Sequence, residues 1–315
     1  MKKGLVALLI IGIMLLVVGG IMFGVSFSKA KIHTTQIDRT ENVEAEFTNI
    51  NINTNITDVE FKVSEDSNVK VVLKEAEKLA HEVKVENDTL NIIQKDTREW
   101  YEKIFSFNLG FMKAVIYLPA KAYGDLKIDS STGDIRIPHD FSFNSIDIDL
   151  STGDTYISSN VSNTLKIDAS TGDTNLSNMS AKNINVKAST GHVFLNDVTV
   201  SETIKLDLST GRTQFENVTA KNYIHDSSTG KVILKNVIVE EEMDIDTSTG
   251  DIRFEDCDAQ RITIEVGTGD VTGTLLSPKI FQVRTDTGKV NVPTSTTGGL
   301  CKIDTDTGNV SIQIK

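Results

Sequence analysis

Residues 126–154 read LKIDSSTGDIRIPHDFSFNSIDIDLSTGD and hold two copies of the tripeptide Ser-Thr-Gly, which end at Gly133 and Gly153. The tripeptide or a close variant recurs every 19 or 20 residues to the end of the chain. Its copies end at Gly133, Gly153, Gly172, Gly191, Gly211, Gly230, Gly250, Gly269, Gly288 and Gly308. A period this regular is typical of repeat architectures, in which each repeat is one structural unit.

Each repeat places apolar residues at fixed distances from its glycine, as Leu126 and Ile128 stand seven and five residues before Gly133, and Ile137 four after it. Polar residues fill the intervening positions, so the pattern predicts two short strands with alternating faces. The alternation changes phase at the Thr-Gly pair, which predicts a corner where glycine supplies backbone freedom. A third apolar column follows seven residues after the glycine at Met179, Val198, Val218, Val237 and Cys257.

A repeat of 19 or 20 residues is too short to hold a helix together with its strands, and one repeat cannot bury its apolar face alone. Parallel stacking of the repeats at a spacing of about 4.8 Å buries the apolar columns in one core. The sequence therefore predicts an all-β protein, a parallel β-solenoid with one coil for each copy of the tripeptide. Right-handed coiling is expected by analogy with parallel crossover connections. A triangular and a flattened cross-section both fit the pattern.

The first residues predict a membrane anchor. Lys2 and Lys3 precede an uncharged, mostly apolar stretch over residues 4–28, and about 20 apolar residues suffice to cross a bilayer as a helix. The flanking lysines should remain in the cytoplasm, which places the rest of this single-pass protein on the extracellular side of the cell membrane. The alternative is a secretory signal peptide that is cleaved after Ala30.

Residues 29–125 lack the tripeptide but keep part of the alternation. Ile50, Ile52, Val59 and Phe61 repeat it, which predicts degenerate first coils, followed by strands near residues 69–73 and 83–93. Terminal repeats of such arrays are atypical because they cover the end of the core. The chain is therefore divided into an anchor over residues 1–28, β-rich coils and a cap over residues 29–125, and the repeat domain over residues 126–315.

Ser-Thr-Gly-Asp-hydrophobic units, as at residues 131–135 and 248–252, behind an N-terminal anchor resemble a bacterial family of β-strand repeats described as "putative adhesin", a domain of unknown function. The resemblance extends over residues 46–315. It implies a cell-envelope protein with an adhesin-like role, and some members are connected with envelope-stress responses in Gram-positive bacteria. The family brings no catalytic residues.

Composition argues against nucleic-acid binding and against catalysis. The net charge of −12 opposes the approach of a nucleic acid. The five histidines are scattered without metal-ligand spacing, and serine recurs in every coil instead of standing beside one base. We therefore expect no enzymatic activity, no catalytic residue and no organic cofactor. His225 should be a satisfied core residue, and Cys257 and Cys301 should be buried small hydrophobes.

Acidic residues form two columns beside the first glycine corners, four residues before and one residue after the glycine. They are Asp129, Asp149 and Asp168, and Asp134, Asp154 and Asp173. Stacking brings like charges within about 5 Å, so weak binding of a calcium ion by these carboxylates is one hypothesis. A solvated acidic stripe is the alternative.

Aromatic residues cluster in a segment that fits neither the strand pattern nor the repeat. They are Trp100, Tyr101, Phe105, Phe107 and Phe111. This segment is predicted either to pack as a cap over the first coil or to expose a patch that binds a partner or the membrane surface.

Two functions fit these features. The first is a binding module of the cell envelope, whose partner is a protein or a glycan. The second is a structural scaffold that self-associates end to end. Its basis is that the chain stops at Lys315 after Val310, Ile312 and Ile314, so the last coil is expected to present an unpaired strand edge. The stacked threonines before the glycines are expected to form a structural ladder.

Overall fold

The computed structural model describes residues 36–100 and 112–315, with isolated helical positions at residues 12, 14 and 16–20. The strands of this part are β1 (Gln36–Val43), β2 (Asn49–Ile56), β3 (Asp58–Val63), β4 (Val69–Ala76), β5 (His81–Glu86), β6 (Thr89–Gln94), β7 (Lys113–Leu118), β8 (Ala122–Thr132), β9 (Ile135–Ile137), β10 (Ser142–Thr152), β11 (Thr155–Ile157), β12 (Asn160–Thr171), β13 (Thr174–Thr190), β14 (Val193–Thr210), β15 (Thr213–Thr229), β16 (Val232–Thr249), β17 (Ile252–Thr268), β18 (Val271–Leu275), β19 (Lys279–Thr287), β20 (Val290–Asn291), β21 (Gly299–Thr307) and β22 (Val310–Ile314). A 3-10 turn (Glu77–Leu79) joins β4 to β5.

The helix expected to cross the membrane lies mostly outside the described residues. Where the structure does describe the chain, no helix is both long enough and apolar enough to span a bilayer. The anchor over residues 1–28 therefore stays a prediction.

The repeats form a parallel β-solenoid, as predicted, and each regular coil has three walls. Between β13 and β14 the pairing runs over residues 174–177, 179–181 and 183–190, with breaks between them. We call the wall before the Thr-Gly corner wall A, the wall after it wall B, and the next one wall C. The third apolar column belongs to wall C, because Met179, Val198 and Val218 are buried there.

Two of the three corners need a left-handed backbone. At the Thr-Gly corners other than Gly288, φ lies between 135° at Gly172 and 159° at Gly230, a region that favours glycine. Stacking adds a second constraint, because a Cβ atom on Gly191 would lie 1.9 Å from the carbonyl oxygen of Gly172. Between walls B and C the corner residue is Asn or Asp, as at Asn178 with φ 51°, and these residue types tolerate that conformation best after glycine.

The apolar columns form one continuous core through the described coils. Ile128, Ile148 and Ile167, five residues before their glycines, are stacked in register and fully buried. Cys257 and Cys301 are buried free thiols, as predicted. The threonines before the glycines also stand in register from coil to coil, which confirms the predicted ladder.

At the N-terminal end the coils do not follow chain order. β2 and β3 pair in parallel with β8 and β9 on one side and with β6 and β7 on the other. The first coil of the chain therefore lies inside the stack. β1, β4 and β5 pair antiparallel with their neighbours, which ends the parallel ladder and forms an atypical cap.

At the C-terminal end, too, the coils do not follow chain order. This corrects the expectation that the last residues form the exposed edge. β21 lies between β17 and β19, and β22 pairs with β18 along its length and with β20 over its first two residues. The outermost coil is therefore residues 279–291. Its core residues Phe281 and Val283 are only partly buried, because no coil of the described part of the chain covers them.

Candidate binding surfaces

Wall B carries an outward-facing row of exposed or half-buried side chains three residues after the glycines, and we call it the wall B row. In order along the solenoid axis it consists of Arg136, Tyr156, Asn175, Phe194, Gln214, Ile233 and Arg253. Parallel pairing holds these positions directly beside one another, about 4.8 Å apart. The aromatic side chains are two coils apart, so about 10 Å separates their positions.

Neighbouring side chains contact the rings of both Tyr156 and Phe194. The Arg136 guanidinium lies 4.7 Å from the centre of the Tyr156 ring, a distance at which a cation attracts the ring face. The Tyr156 hydroxyl donates to Oδ2 of Asp154 at 3.2 Å. Phe194 contacts the ring of His192 edge to face, with 5.9 Å between the centroids. Contacts within the chain therefore restrict the orientation of both rings.

Two side-chain amides of the row, one between the aromatic rings and one after the second ring, have no hydrogen-bond partner within the described residues. Within residues 36–100 and 112–315, the side chains of Asn175 and Gln214 form no hydrogen bond, and both are half-buried. Hydroxyl groups of Ser158 and Ser177, 3.1 Å apart, lie beside the row on the same wall. This part of wall B offers uncharged hydrogen-bonding groups around two aromatic rings.

The aspartates after the glycines bind the backbone of the next coil. Oδ1 of Asp134 accepts from the amide of Asp154 at 3.0 Å, and Oδ1 of Asp154 accepts from the amide of Asp173 at 2.8 Å. The next two coils continue this series of acceptors. Oδ1 of Asp173 accepts from the amide of His192, and Nδ1 of His192 accepts from the amide of Arg212 at 2.9 Å. One oxygen of each of these carboxylates thus already accepts a hydrogen bond from the neighbouring coil.

Wall A is charged on its outer side. Asp129, Asp149 and Asp168 are exposed and stacked in register, and a shallow depression of about 240 Å³ further along is lined by Lys166, Lys187 and other residues. In the part of the chain that the structure describes, no three His, Cys, Asp or Glu residues are placed to hold a metal ion. Weak calcium binding stays a prediction, to be tested by melting the protein with calcium or with a chelator.

Comparison with known proteins places the chain in a family. The family model described as Toastrack DUF4097 matches residues 47–221 and 201–315. The chain belongs to the Toastrack DUF4097 family. No curated protein matches it.

Solved structures similar to this Toastrack chain share little sequence with it. A "putative adhesin" from Bacteroides fragilis is 15% identical, covers 89% of this chain and 97% of its own, and has a TM-score of 0.41. A "putative adhesin" from Parabacteroides distasonis is 12% identical, with coverage of 89% and 98% and a TM-score of 0.48. A "putative lipid binding protein" from the same species is 17% identical, with coverage of 75% and 96% and a TM-score of 0.47.

The predicted aromatic site falls largely outside the described residues of this Toastrack protein. Trp100 has 71% of its surface exposed, whereas Tyr101, Phe105, Phe107 and Phe111 are not among the residues that the structure describes. A partner-binding role for this cluster stays a prediction.

The cap contains a buried polar network that sequence reasoning missed. Nδ1 of His81 lies 2.8 Å from Oε2 of Glu75, and Nε2 lies 3.3 Å from the Thr57 hydroxyl. Nε of Arg39 donates to the other Glu75 oxygen at 3.0 Å. Burial lowers the pKa of His81, although Glu75 opposes the shift. Because Thr57, His81 and Glu75 are each only 2% exposed, the network fastens β1, β4 and β5 to the solenoid and is closed to a substrate.

His225 is buried as predicted but only half satisfied. Its Nε2 lies 3.1 Å from the Ser227 hydroxyl, whereas Nδ1 and the nearby Tyr223 hydroxyl have no partner. Burial lowers the pKa of His225 to about 4 and raises the pKa of Tyr223 well above its usual value. Both rings are therefore neutral at physiological pH.

Proposed function

We propose that this protein is a single-pass membrane protein whose solenoid lies outside the cytoplasm and binds a component of the cell envelope. The observation that carries the proposal is the unbroken register of wall B from β9 to β17. Side chains in a straight row favour contact with an extended partner, because stacked repeats form an extended binding surface along the solenoid axis.

The position of the cap supports this orientation. β1 begins at Gln36 in the cap, and residues 29–35 are all that separate it from the predicted anchor. Seven residues span at most about 25 Å, so the cap end would stay close to the membrane. The remaining coils, each about 4.8 Å deep, would extend into the envelope and present wall B there.

Two measurements test this proposal. Protease added to intact cells should remove the solenoid, whereas a reporter fused before Lys2 should stay protected. The purified full chain should then retain a component from native envelope preparations. A protected solenoid, or a soluble cleaved product in the medium, would contradict the anchored topology, and a chain that retains nothing would contradict the binding role.

End-to-end self-association is a second candidate, supported by the outermost coil. Among the described residues β19 pairs on one side only, and Ile280 and Val290 are 38% and 47% exposed in this coil. Free strand edges with apolar side chains favour pairing with another chain. The full chain should then form concentration-dependent oligomers in sedimentation experiments, and Val283→Pro should abolish them. Oligomers that survive this substitution would require another surface.

A further inference from the structure

We infer that the wall B row is a binding site for an extended polysaccharide of β-linked hexose units, with the sugars lying along the solenoid axis over Tyr156, Asn175, Phe194 and Gln214. The inference rests on the proposed envelope-binding function and names its site and its ligand class.

Spacing is the first support. Tyr156 and Phe194 occupy the same position two coils apart, which separates them by about 10 Å. An extended β-linked hexose chain repeats its orientation every two sugars, over a similar length. Sugar rings present flat arrays of C–H groups, which pack against aromatic rings, so every second sugar can contact one ring of the row.

Hydrogen-bonding capacity is the second support. Asn175 stands between the two aromatic rings, Gln214 stands after the second, and within the described residues neither side-chain amide has a partner. Each amide offers both donors and an acceptor, which matches the hydroxyl groups on the edges of sugar rings. The adjoining Ser158 and Ser177 hydroxyls add further uncharged groups.

The wall B row differs in charge from wall A, although charged residues such as Lys231 and Glu216 lie beside the row on wall B. Between Tyr156 and Ile233 the row itself carries no formal charge, and the neighbouring carboxylates of Asp154 and Asp173 are bonded to backbone amides. Wall A instead presents exposed lysines and aspartates, with Lys166 paired to Asp147 at 2.9 Å. An uncharged polymer complements the wall B row and gains little on wall A.

Backbone pairing excludes the addition of a peptide as a further strand at this row. Peptides commonly bind sheets by adding a strand to a free edge. β11, β13, β14 and β15 are each paired on both sides, so wall B offers side chains but no free edge in this region.

The test is isothermal titration of the full chain in detergent micelles with soluble β-1,4-linked hexose and N-acetylhexosamine hexasaccharides, together with sedimentation on the insoluble polymers. Binding should weaken roughly threefold to tenfold for Tyr156→Ala or Phe194→Ala. Asn175→Ala should also weaken binding, whereas Asn185→Ala, on wall A of the same coil, should not. Tyr117→Ala is the aromatic control, because Tyr117 lies outside the row.

The outcomes separate this inference from the proposed function. If the chain retains envelope material but binding is unchanged in the Tyr156→Ala, Phe194→Ala double variant, the wall B inference is wrong and the proposed function stands. If the same double variant loses both oligosaccharide and envelope binding while melting like the wild type, both are supported. A wild-type chain that binds neither oligosaccharides nor envelope material would overturn both.

Discussion

The ammonium group of Lys279 lies 2.5 Å from Oδ1 of Asp258, although the strand β21 runs between their two coils. Gly298 and Gly299 occupy the intervening coil, where a Cβ atom would lie 1.8 Å from the Pro278 oxygen or 2.0 Å from the Gln260 oxygen. The buried lysine, 2% exposed, thus clamps the outermost coil to the coil two layers below. Strand β21 lies between these two coils, next to β17 on one side and β19 on the other.

Removal of this clamp should loosen the C-terminal end. Lys279→Met leaves Asp258 without its cation, and because that carboxylate is 23% exposed we expect a loss of about 1–3 kcal/mol in the free energy of unfolding, below the range for fully buried pairs. Lys302→Met is the control, since Lys302 forms a longer and exposed ion pair. Denaturant unfolding measures both, and equal stability of the two variants would show that the clamp contributes nothing.

The glycine corners should tolerate no side chain. Gly191→Ala combines a φ of 148° with a contact that stacking cannot relieve, so it should cost about 3 kcal/mol or more. Ser189→Ala, on the exposed side of the same corner, should change stability by less than about 0.5 kcal/mol. Thermal melting distinguishes them, and a stable Gly191→Ala protein would contradict the corner geometry.

The aspartate acceptors should contribute through hydrogen bonding, because their carboxylates bind the next coil. Asp154→Ala removes the acceptor of the Asp173 amide and should cost about 1 kcal/mol. Asp154→Asn keeps an oxygen at this position and should lose less. Asp149→Ala, on exposed wall A, is the matched control. If Asp154→Asn lost as much unfolding free energy as Asp154→Ala, the charge of Asp154 alone would explain the effect.

The apolar columns and the number of coils could be predicted from the sequence, because both follow from a local pattern with a fixed period. The chain order at the ends was not, since residues 279–291 and 299–314 share the same register and either could lie outermost. The corner column of Asn178, Asp197 and Asn217 was a visible signal that was missed. The role of Asp134 and Asp154 was missed as well, because pairing between coils decides which amide each carboxylate meets.

Stability should fall in acid through His225. Its folded pKa of about 4 lies below the value of about 6.5 for an unfolded histidine. Between these values the unfolded chain binds a proton that the folded chain excludes, so the free energy of unfolding decreases as the pH falls, by about 3 kcal/mol over the window.

His225→Leu should remove this contribution, because its stacked neighbours Leu206 and Ile245 are apolar. Unfolding measured near neutral pH and near pH 4.5 should show a smaller acid loss for this variant than for wild type. His139→Leu, at a site with 76% of the side chain exposed, should behave as wild type does. An unchanged acid loss in His225→Leu would place the titrating group elsewhere.

The most direct test of binding through wall B is photo-crosslinking in living cells. A photoreactive phenylalanine analogue at position 175 lies within the wall B row. The same analogue at position 185 lies on wall A of the same coil. Adducts between position 175 and envelope polysaccharide, with few or none from position 185, are the predicted result. Adducts from position 185 alone, or from neither position, would contradict it.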